Sequence, residues 1–450
     1  VSEHGEVAEG EGGAAGAAPG NPGAEEEAGR RWTPPFVYFF MELPFGAAVG
    51  FLMIAVPFWL ASAGVSLADI AKVSATGFLP HALKVLWVPL LDIGARRRLW
   101  YLSMVAATAV LLAASVLLPD PARNLWLLTV LVTALQAVAA TSSAALNALI
   151  AITTHPSAKG RAGGYYMAGN VGGTGVLGAL ALWLATNASP AVGGLVLVAI
   201  VVASGSTALA IREPRVAADA LLHGASLMRA LGHRLASMFR DLWRTLRSRE
   251  GFTGLLICLA PVGCGALTNL FSGMANQYGA SQRVVEVVNG LGGGLAGALG
   301  SLAGGWLADR MNRRFAYAVA GGVTALTAVA MLAAPMAPAT YAAGVLAYGF
   351  ANGIAFATWA GMVLEMVEHT AAVATKYALF TAASNLAISY VTALDGWASG
   401  WAGPGGVWAG LASARRALAF DAAITFAGIA FLVAMVIVTR QLAARAAPAA

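Results

Sequence analysis

The chain has 450 residues, 59% of them apolar and only 11% charged, with a mean hydropathy of +0.73 and a formal net charge of +6. A soluble domain carries about 25% charged residues, so these proportions exclude an ordinary soluble protein and indicate a chain built for lipid. The two cysteines, Cys258 and Cys264, lie in one apolar segment at a spacing that points them to different helix faces, which excludes a disulfide framework.

Residues 1–35 are rich in Gly, Ala and Pro and hold seven of the 21 acidic residues within the first 27 positions. With almost nothing to bury, they are expected to form a disordered acidic cytoplasmic tail. They lack the basic start and apolar core of a secretory signal. Arg30-Arg31 reads as an anchor for the first helix.

Runs of about 20 mostly apolar residues fall near 37–61, 70–92, 100–118, 125–151, 163–186 and 191–211. After a polar interval they resume near 252–278, 286–308, 315–334, 339–365, 376–399 and 417–439. The expected fold is therefore an all-α integral membrane protein of twelve transmembrane helices. The segments divide into a six-helix bundle over 36–211, a linker over 212–251, a second six-helix bundle over 252–440 and a short cytoplasmic tail over 441–450. With the N-terminus inside, 21 of the 27 basic residues fall in the tails and inner loops, so both termini and the linker are expected to be cytoplasmic. In the linker, Leu221, Met228, Leu231, Leu235, Met238, Leu242 and Leu246 recur at helical spacing, with Arg229, Arg240, Arg244 and Arg247 largely off that stripe. This pattern predicts an amphipathic helix lying on the membrane surface.

An internal repeat relates the two bundles. Span 2 ends in Asp92 followed by Arg96 and Arg97, and span 8 ends in Asp309 followed by Arg313 and Arg314. Gly305, Leu307, Ala308, Asp309, Arg310, Arg313 and Arg314 fit the form G-x-L-a-D-R/K-x-G-R/K-R/K, with Asn312 in place of one Gly. In the first copy Val88 replaces the leading Gly, and Gly94 comes one place early. These residues resemble the signature of the major facilitator superfamily, which implies two pseudo-symmetric six-helix bundles. It also implies a cytoplasmic gate made of Asp92, Arg96, Arg97, Gly305, Asp309, Arg310, Arg313 and Arg314, whose charge network forms in one state and breaks in another.

A narrower resemblance covers about 55 residues of spans 1 and 2. Leu43, Pro44, Phe45, Gly46, then Gly64, Val65, Ser66, Leu67, Ala68, then Lys84, Leu86, Trp87, Pro89 and Asp92 are similar to the branch of AmpG-type muropeptide permeases and acetyl-CoA transporters. Muropeptide permeases carry two acidic residues in helix 4, where Ser143 and Asn147 stand here. That departure puts the substrate or the coupling of those relatives in doubt for this chain.

The superfamily resemblance implies a central cavity lined by helices 1, 4, 7 and 10. Polar residues on those spans give the expected substrate cavity: Tyr38, Glu42, Ser143, Asn147, Asn269, Asn276, Gln277, Asn352 and Trp359, with Gln136 a further polar group of span 4. Glu42, His81, Lys84 and Glu365 are the expected buried charges or coupling groups. At 1.5 Å per residue, Glu42 lies roughly 8 Å and Lys84 roughly 12 Å from the inner edge. These similar depths favour a Glu42–Lys84 ion pair over pairing of Lys84 with Glu365 or Glu368. His81, one turn from Lys84, reads as a histidine hydrogen-bonded between helices or as a proton relay. Asp395 and Asp421 are expected to form an external ion pair with Arg415 and Arg416.

No metal-ligand spacing, nucleotide-binding loop or nucleophile motif appears, so neither a cofactor, a metal nor an enzyme is expected, and nucleic acid is not an expected partner. The expected function is secondary active transport of a polar or amphiphilic small solute, such as a cell-wall fragment or peptide, across a bacterial inner membrane by alternating access. The driving force is a proton gradient or the solute gradient itself. The alternatives are an uncoupled facilitator or exporter of another solute, and a non-transporting membrane sensor or assembly factor. The expected partners are the small-molecule substrate, membrane lipids and protons, and the expected state is a monomer.

Overall fold

The computed structural model describes residues 32–446 except 89–90, 92–95, 156–157, 159–161, 163–164, 212, 214–231, 233–235, 237–238, 241–242, 368–372 and 402–406. Among the described residues the fold is all-helical. In chain order the long helices are α1 (Val37–Ser62), α2 (Leu67–Leu83), α3 (Arg97–Val116), α4 (Leu125–Thr153), α5 (Tyr165–Asn187) and α6 (Pro190–Ser206). The second series is α7 (Arg249–Leu259), α8 (Gln282–Ala308), α9 (Arg313–Ala333), α10 (Pro338–Val367), α11 (Val373–Gly400) and α12 (Ser413–Ala446). Nine of the described helices are long and apolar enough to cross a membrane. The three other expected spans are α2, the interrupted segment that begins with α7, and α10, which is long but carries Asn352 and several glycines.

Local chemistry sets several helix starts. Ser66, Ser189 and Ser248 each accept a hydrogen bond from a backbone N–H in the first turn of α2, α6 and α7. Asn312, the residue that departs from the signature, accepts from the N–H groups of Arg314 and Phe315 and so caps α9.

Two expected spans differ in form. The α-helical part of span 2 ends at Leu83 and tightens into a 3-10 turn over Lys84–Leu86, short of the expected end at 92. Pro89, itself outside the described residues, has no N–H to offer the Val85 carbonyl, which weakens a regular helix at this end. Span 7, expected to run unbroken from 252 to 278, stops at Leu259 and resumes as short 3-10 and α turns from Ala266. Pro261 holds Ala260 extended (φ −65°, ψ 138°), and Gly263 and Gly265 then turn the chain at φ +58° and +75°. A Cβ on Gly265 would also sit 2.4 Å from Asn352 Oδ1. Gly265→Ala is therefore expected to lower stability by about 1–2 kcal/mol from the backbone alone, read as a lower melting temperature in detergent. Asn352→Ala in the same chain should relieve the clash but not the backbone part; an unchanged melting temperature for Gly265→Ala would show that the break needs no glycine.

We use "near face" for the side where α1 begins and α12 ends, and "far face" for the opposite side. Of the three buried apolar clusters, one stays within α1–α6 and one within α7–α12 and the turns that follow α7. The third joins the halves, bringing Ile54, Phe58, Leu67, Ala71 and Leu182 against Phe271, Met274, Tyr348 and Leu418. All of these lie at the far-face end of their segments. Backbone also meets backbone across the halves, where a Cβ on Gly175 of α5 would lie 2.5 Å from the Gly290 carbonyl of α8. The apolar cluster that joins the halves thus lies towards the far face, while α2 and α11 stay packed on each other down to the Lys84–Leu86 turn.

The tail over 1–31, Asp92, Glu368 and most of the linker stripe lie outside the described residues. The described linker residues Trp243–Arg247 are helical, with the Arg247 guanidinium 4.9 Å from the Trp243 ring centre.

Candidate functional site

The polar centre of the first half is Glu42. It is 0% exposed, and its Oε1 accepts 2.8 Å hydrogen bonds from Ser143 Oγ of α4 and from Asn170 Nδ2 of α5. Tyr166 Oη is 3.0 Å from Ser143 Oγ and accepts from Asn147 Nδ2 at 3.0 Å. Glu42 Oε2 has no partner. Three helices converge here because α5 comes unusually close: a Cβ on Gly169 would lie 2.5 Å from the Phe39 carbonyl and 3.0 Å from Glu42 Cβ. A π-helical turn over Ala168–Gly172 adds a residue to the ladder and presents Asn170 to the carboxyl. The near-face end of the same helix carries Tyr165 (44% exposed) and Met167 (52% exposed), and Asn147 is exposed as well.

The expected Glu42–Lys84 ion pair does not form. Lys84 feels the Glu42 charge, but the carboxyl is held by Ser143 and Asn170, and the pair is not among the described ion pairs within 4.0 Å. Equal depth fixed the height of the two side chains but not their directions around the helix axes, and the 3-10 turn at Lys84 rotates that side chain away from an α-helical course. Glu365 is corrected too: it is exposed at the near face and pairs with Arg313 at 3.5 Å.

His81 is a helix-joining group. Its Nε2 is 3.1 Å from Gln136 Oε1, Gln136 Nε2 donates to the Ala48 carbonyl at 2.7 Å, and the rings of Phe45 and Phe78 flank it. Asn385 of α11 donates to the His81 carbonyl at 3.1 Å, tying the halves together. Gln136→Leu leaves the buried His81 ring nitrogen without its partner, while the Ala48 carbonyl keeps the Phe51 N–H, an expected loss of about 1–3 kcal/mol. Replacing His81 by Leu as well should recover part of it. Thermal melting of the single and double variants checks this, and no loss in Gln136→Leu would remove the joining role.

The remaining cavity expectations divide. Tyr38 is buried, with its hydroxyl between those of Thr153 and Thr154, so it fastens α1 to α4. Asn269 is buried and donates to Thr392 of α11 at 3.0 Å. Asn276 and Gln277 lie at the far-face end, where Gln277 accepts from Ser413 and from the Ala414 N–H. Trp359 packs in the second half's own apolar core beside Cys258. Asn352 abuts the break at Gly265. The expected cavity wall from helices 7 and 10 is therefore mostly interhelical joinery, and helix 5 supplies the groups that sequence reasoning missed, Tyr166 and Asn170. Their signal, two tyrosines and an asparagine inside GGYYMAGNVGG, was masked by the glycines around them. A mainly apolar cavity of about 180 Å³ lies at the far end of α1 between Phe51, Trp59, Val116 and Leu128, away from the polar cluster.

At the near face, Arg313 also reaches the Gly361 carbonyl, Arg310 stacks 4.0 Å over the Trp306 ring, and Gly305 has open space around it. Arg314 gives its backbone N–H to the cap at Asn312. The Asp309 side chain lies outside what the structure describes. Arg96 is exposed at the start of α3. The backbone N–H groups of Arg97 and Arg98 both donate to the Glu213 carboxylate, at 3.0 and 3.1 Å, and Arg98 reaches the Ile211 carbonyl. Glu213, unremarked in the sequence, thus ties the start of α3 to the chain after α6.

Asp395 and Asp421 make no external ion pair with the neighbouring arginines. Arg415 donates to the Ala334 carbonyl at 2.8 Å and Arg416 to the Trp401 carbonyl at 3.1 Å, while both carboxyls point into the bundle. Arg415 precedes Asp421 by six residues, about 9 Å along a helix, too far for a direct pair.

A family model described as Major Facilitator Superfamily matches residues 38–391. The fold is similar to a crystal structure of a mutant of the nucleoside transporter NupG, with a TM-score of 0.64, 12% identity, and coverage of 89% of this chain and 98% of that one. At that identity the likeness concerns the fold. No curated protein matches the chain.

Proposed function

We propose a transport mechanism for this chain, which belongs to the Major Facilitator Superfamily. The chain is a secondary transporter that moves a polar or amphiphilic small solute by alternating access, coupled to a proton carried on Glu42. The observation behind this reading is a fully buried carboxyl with one oxygen held by Ser143 and Asn170 and the other without a partner, at the centre of the first half. The far-face seal above it and the exposed Asn147, Tyr165 and Met167 beside it are what a site reached from the near face requires. By the distribution of Lys and Arg we read the near face as cytoplasmic and this arrangement as the inward-facing state.

In this mechanism Tyr166, Asn147 and Asn170 offer hydrogen bonds to the solute. A proton on Glu42 removes the charge that the closed site would otherwise have to desolvate. The polar network then rearranges as the halves rock about the α5–α8 contact. The resemblance of spans 1 and 2 favours a cell-wall fragment, a peptide or a nucleotide-linked acyl compound as the solute.

The test is a thermal-shift screen of purified protein with cell-wall fragments, peptides, nucleosides and CoA esters, followed by flux of the binder into proteoliposomes with and without an imposed pH gradient. Accumulation that needs the gradient supports the reading. Flux that ignores the gradient favours an uncoupled facilitator, the second reading, which the exchange of helix-4 acids for Ser143 and Asn147 keeps in view. No binder and no flux would point to a non-transporting sensor.

A further inference from the structure

α11 and α12 each turn one carboxyl into the bundle: Asp395, five residues before the end of α11, and Asp421, eight residues into α12. They are 0% and 1% exposed, and the two groups lie close enough for each to feel the other's charge. Tyr348 of α10 donates its hydroxyl to Asp421 Oδ2 at 3.3 Å. Both oxygens of Asp395 and Oδ1 of Asp421 have no donor. An ionised carboxylate can only accept hydrogen bonds. Two of them in buried contact, with no donor between, repel each other, whereas a single proton turns the contact into an O–H···O bond.

We propose that Asp395 and Asp421 hold one shared proton, forming a proton-binding site of the second half that is separate from Glu42 and that keeps the far-face seal closed. Among the described residues, the groups around the pair bring no free cation to it. Cys264, from the break after α7, is the near neighbour of both carboxyls, with Tyr390 of α11 and Tyr317 of α9 beyond it. The side chains of Arg415 and Arg416 are engaged with carbonyls. Against this part of α11, α2 places Ala68 and Ala71, while its Asp69 and Lys72 pair with each other at 2.8 Å.

The pair is built into the seal from both sides. Gly396, next to Asp395, packs so closely on α2 that a Cβ there would lie 2.0 Å from Ala71 Cβ. Tyr348, the donor to Asp421, meets Phe271 edge-on at 5.2 Å inside the apolar cluster that joins the halves. Losing the shared proton would leave two like charges directly behind that contact, and their separation moves Gly396 off α2 and Tyr348 off Phe271. The proposal does not depend on the role given to Glu42.

The test uses the full chain in nanodiscs with a reporter cysteine in the seal, Phe58→Cys, its alkylation followed by peptide mass spectrometry that resolves it from Cys258 and Cys264. Labelling is expected to rise with pH, by roughly tenfold across the titration of the pair. It should become low and pH-independent in Asp395→Asn and in Asp421→Asn, and the rise should persist in Glu42→Gln. A pH-dependent rise that survives in both Asn variants, or that disappears in Glu42→Gln, would overturn the proposal. So would labelling that follows sodium at fixed pH. A second measurement guards against misfolded variants: infrared spectra of Glu42→Gln should show a protonated-carboxyl carbonyl band that is lost on adding Asp395→Asn. Absence of the band from Glu42→Gln, or its survival on adding Asp395→Asn, also overturns the shared proton.

Discussion

Glu42→Gln is expected to abolish uphill transport while leaving solute exchange intact. The amide keeps an oxygen for Ser143 and Asn170, and its nitrogen replaces Oε2, which has no donor to lose. Stability should therefore stay within about 1 kcal/mol of the parent chain, whereas Glu42→Ala takes the acceptor from Asn170 and from Ser143, of which Ser143 keeps Tyr166, and costs about 1–3 kcal/mol. Counterflow and pH-driven accumulation in proteoliposomes, measured side by side with melting temperature, separate these effects. Accumulation at the parent level by Glu42→Gln would remove the coupling role. Loss of counterflow as well would make Glu42 a solute contact instead.

Gly50→Ala should be among the most damaging single methyls in the chain. Its Cβ would stand 2.2 Å from the Thr174 carbonyl and 2.8 Å from the Gly178 nitrogen, backbone atoms that cannot turn aside. α1 and α5 would have to part at the contact that also brings Asn170 to Glu42. The expected loss is about 3 kcal/mol or more, the upper end for overpacking, together with lower expression of folded protein and loss of transport. Gly175→Ala makes a similar clash with the Gly290 carbonyl, but between the halves, which can separate there. It is expected to fold and to bias the protein towards an open far face, seen as faster alkylation of Phe58→Cys. Gly172→Ala, in the same glycine run but with nothing within 4 Å, is the control and should be neutral or slightly stabilising. Equal loss in all three variants would mean that the run matters through helix propensity rather than close approach.

These glycines show how legibility varied. The run over 163–178 plainly announced close helix packing, because small residues have few other uses in lipid. That Gly50 and Gly178 pack within one half while Gly175 packs between halves could not be read, since nothing local distinguishes them. Pro261, Gly263 and Gly265 did signal a break in span 7, but the apolar residues around them read as one continuous span. Glu42 was identifiable as an anomaly in lipid, and Ser143 and Asn147 as polar groups of helix 4. The other partner of Glu42, Asn170, was hidden because it lies inside a π-turn, which shifts it around the axis.

The sequence by itself determined that the chain is an all-helical membrane protein, roughly where it crosses and where the repeated Asp–Arg punctuation falls. These follow from length, hydropathy and backbone chemistry, which act over a few neighbouring residues. Only the tertiary structure decided that Glu42 meets Ser143 and Asn170 instead of Lys84, and that Asp395 faces Asp421 instead of Arg415 and Arg416. Residue spacing sets a side chain's depth in the membrane, but its direction depends on how helices rotate and bend against one another. That rotation is fixed by close contacts such as Gly50 on Gly178 and Gly169 on Phe39, between residues more than a hundred positions apart.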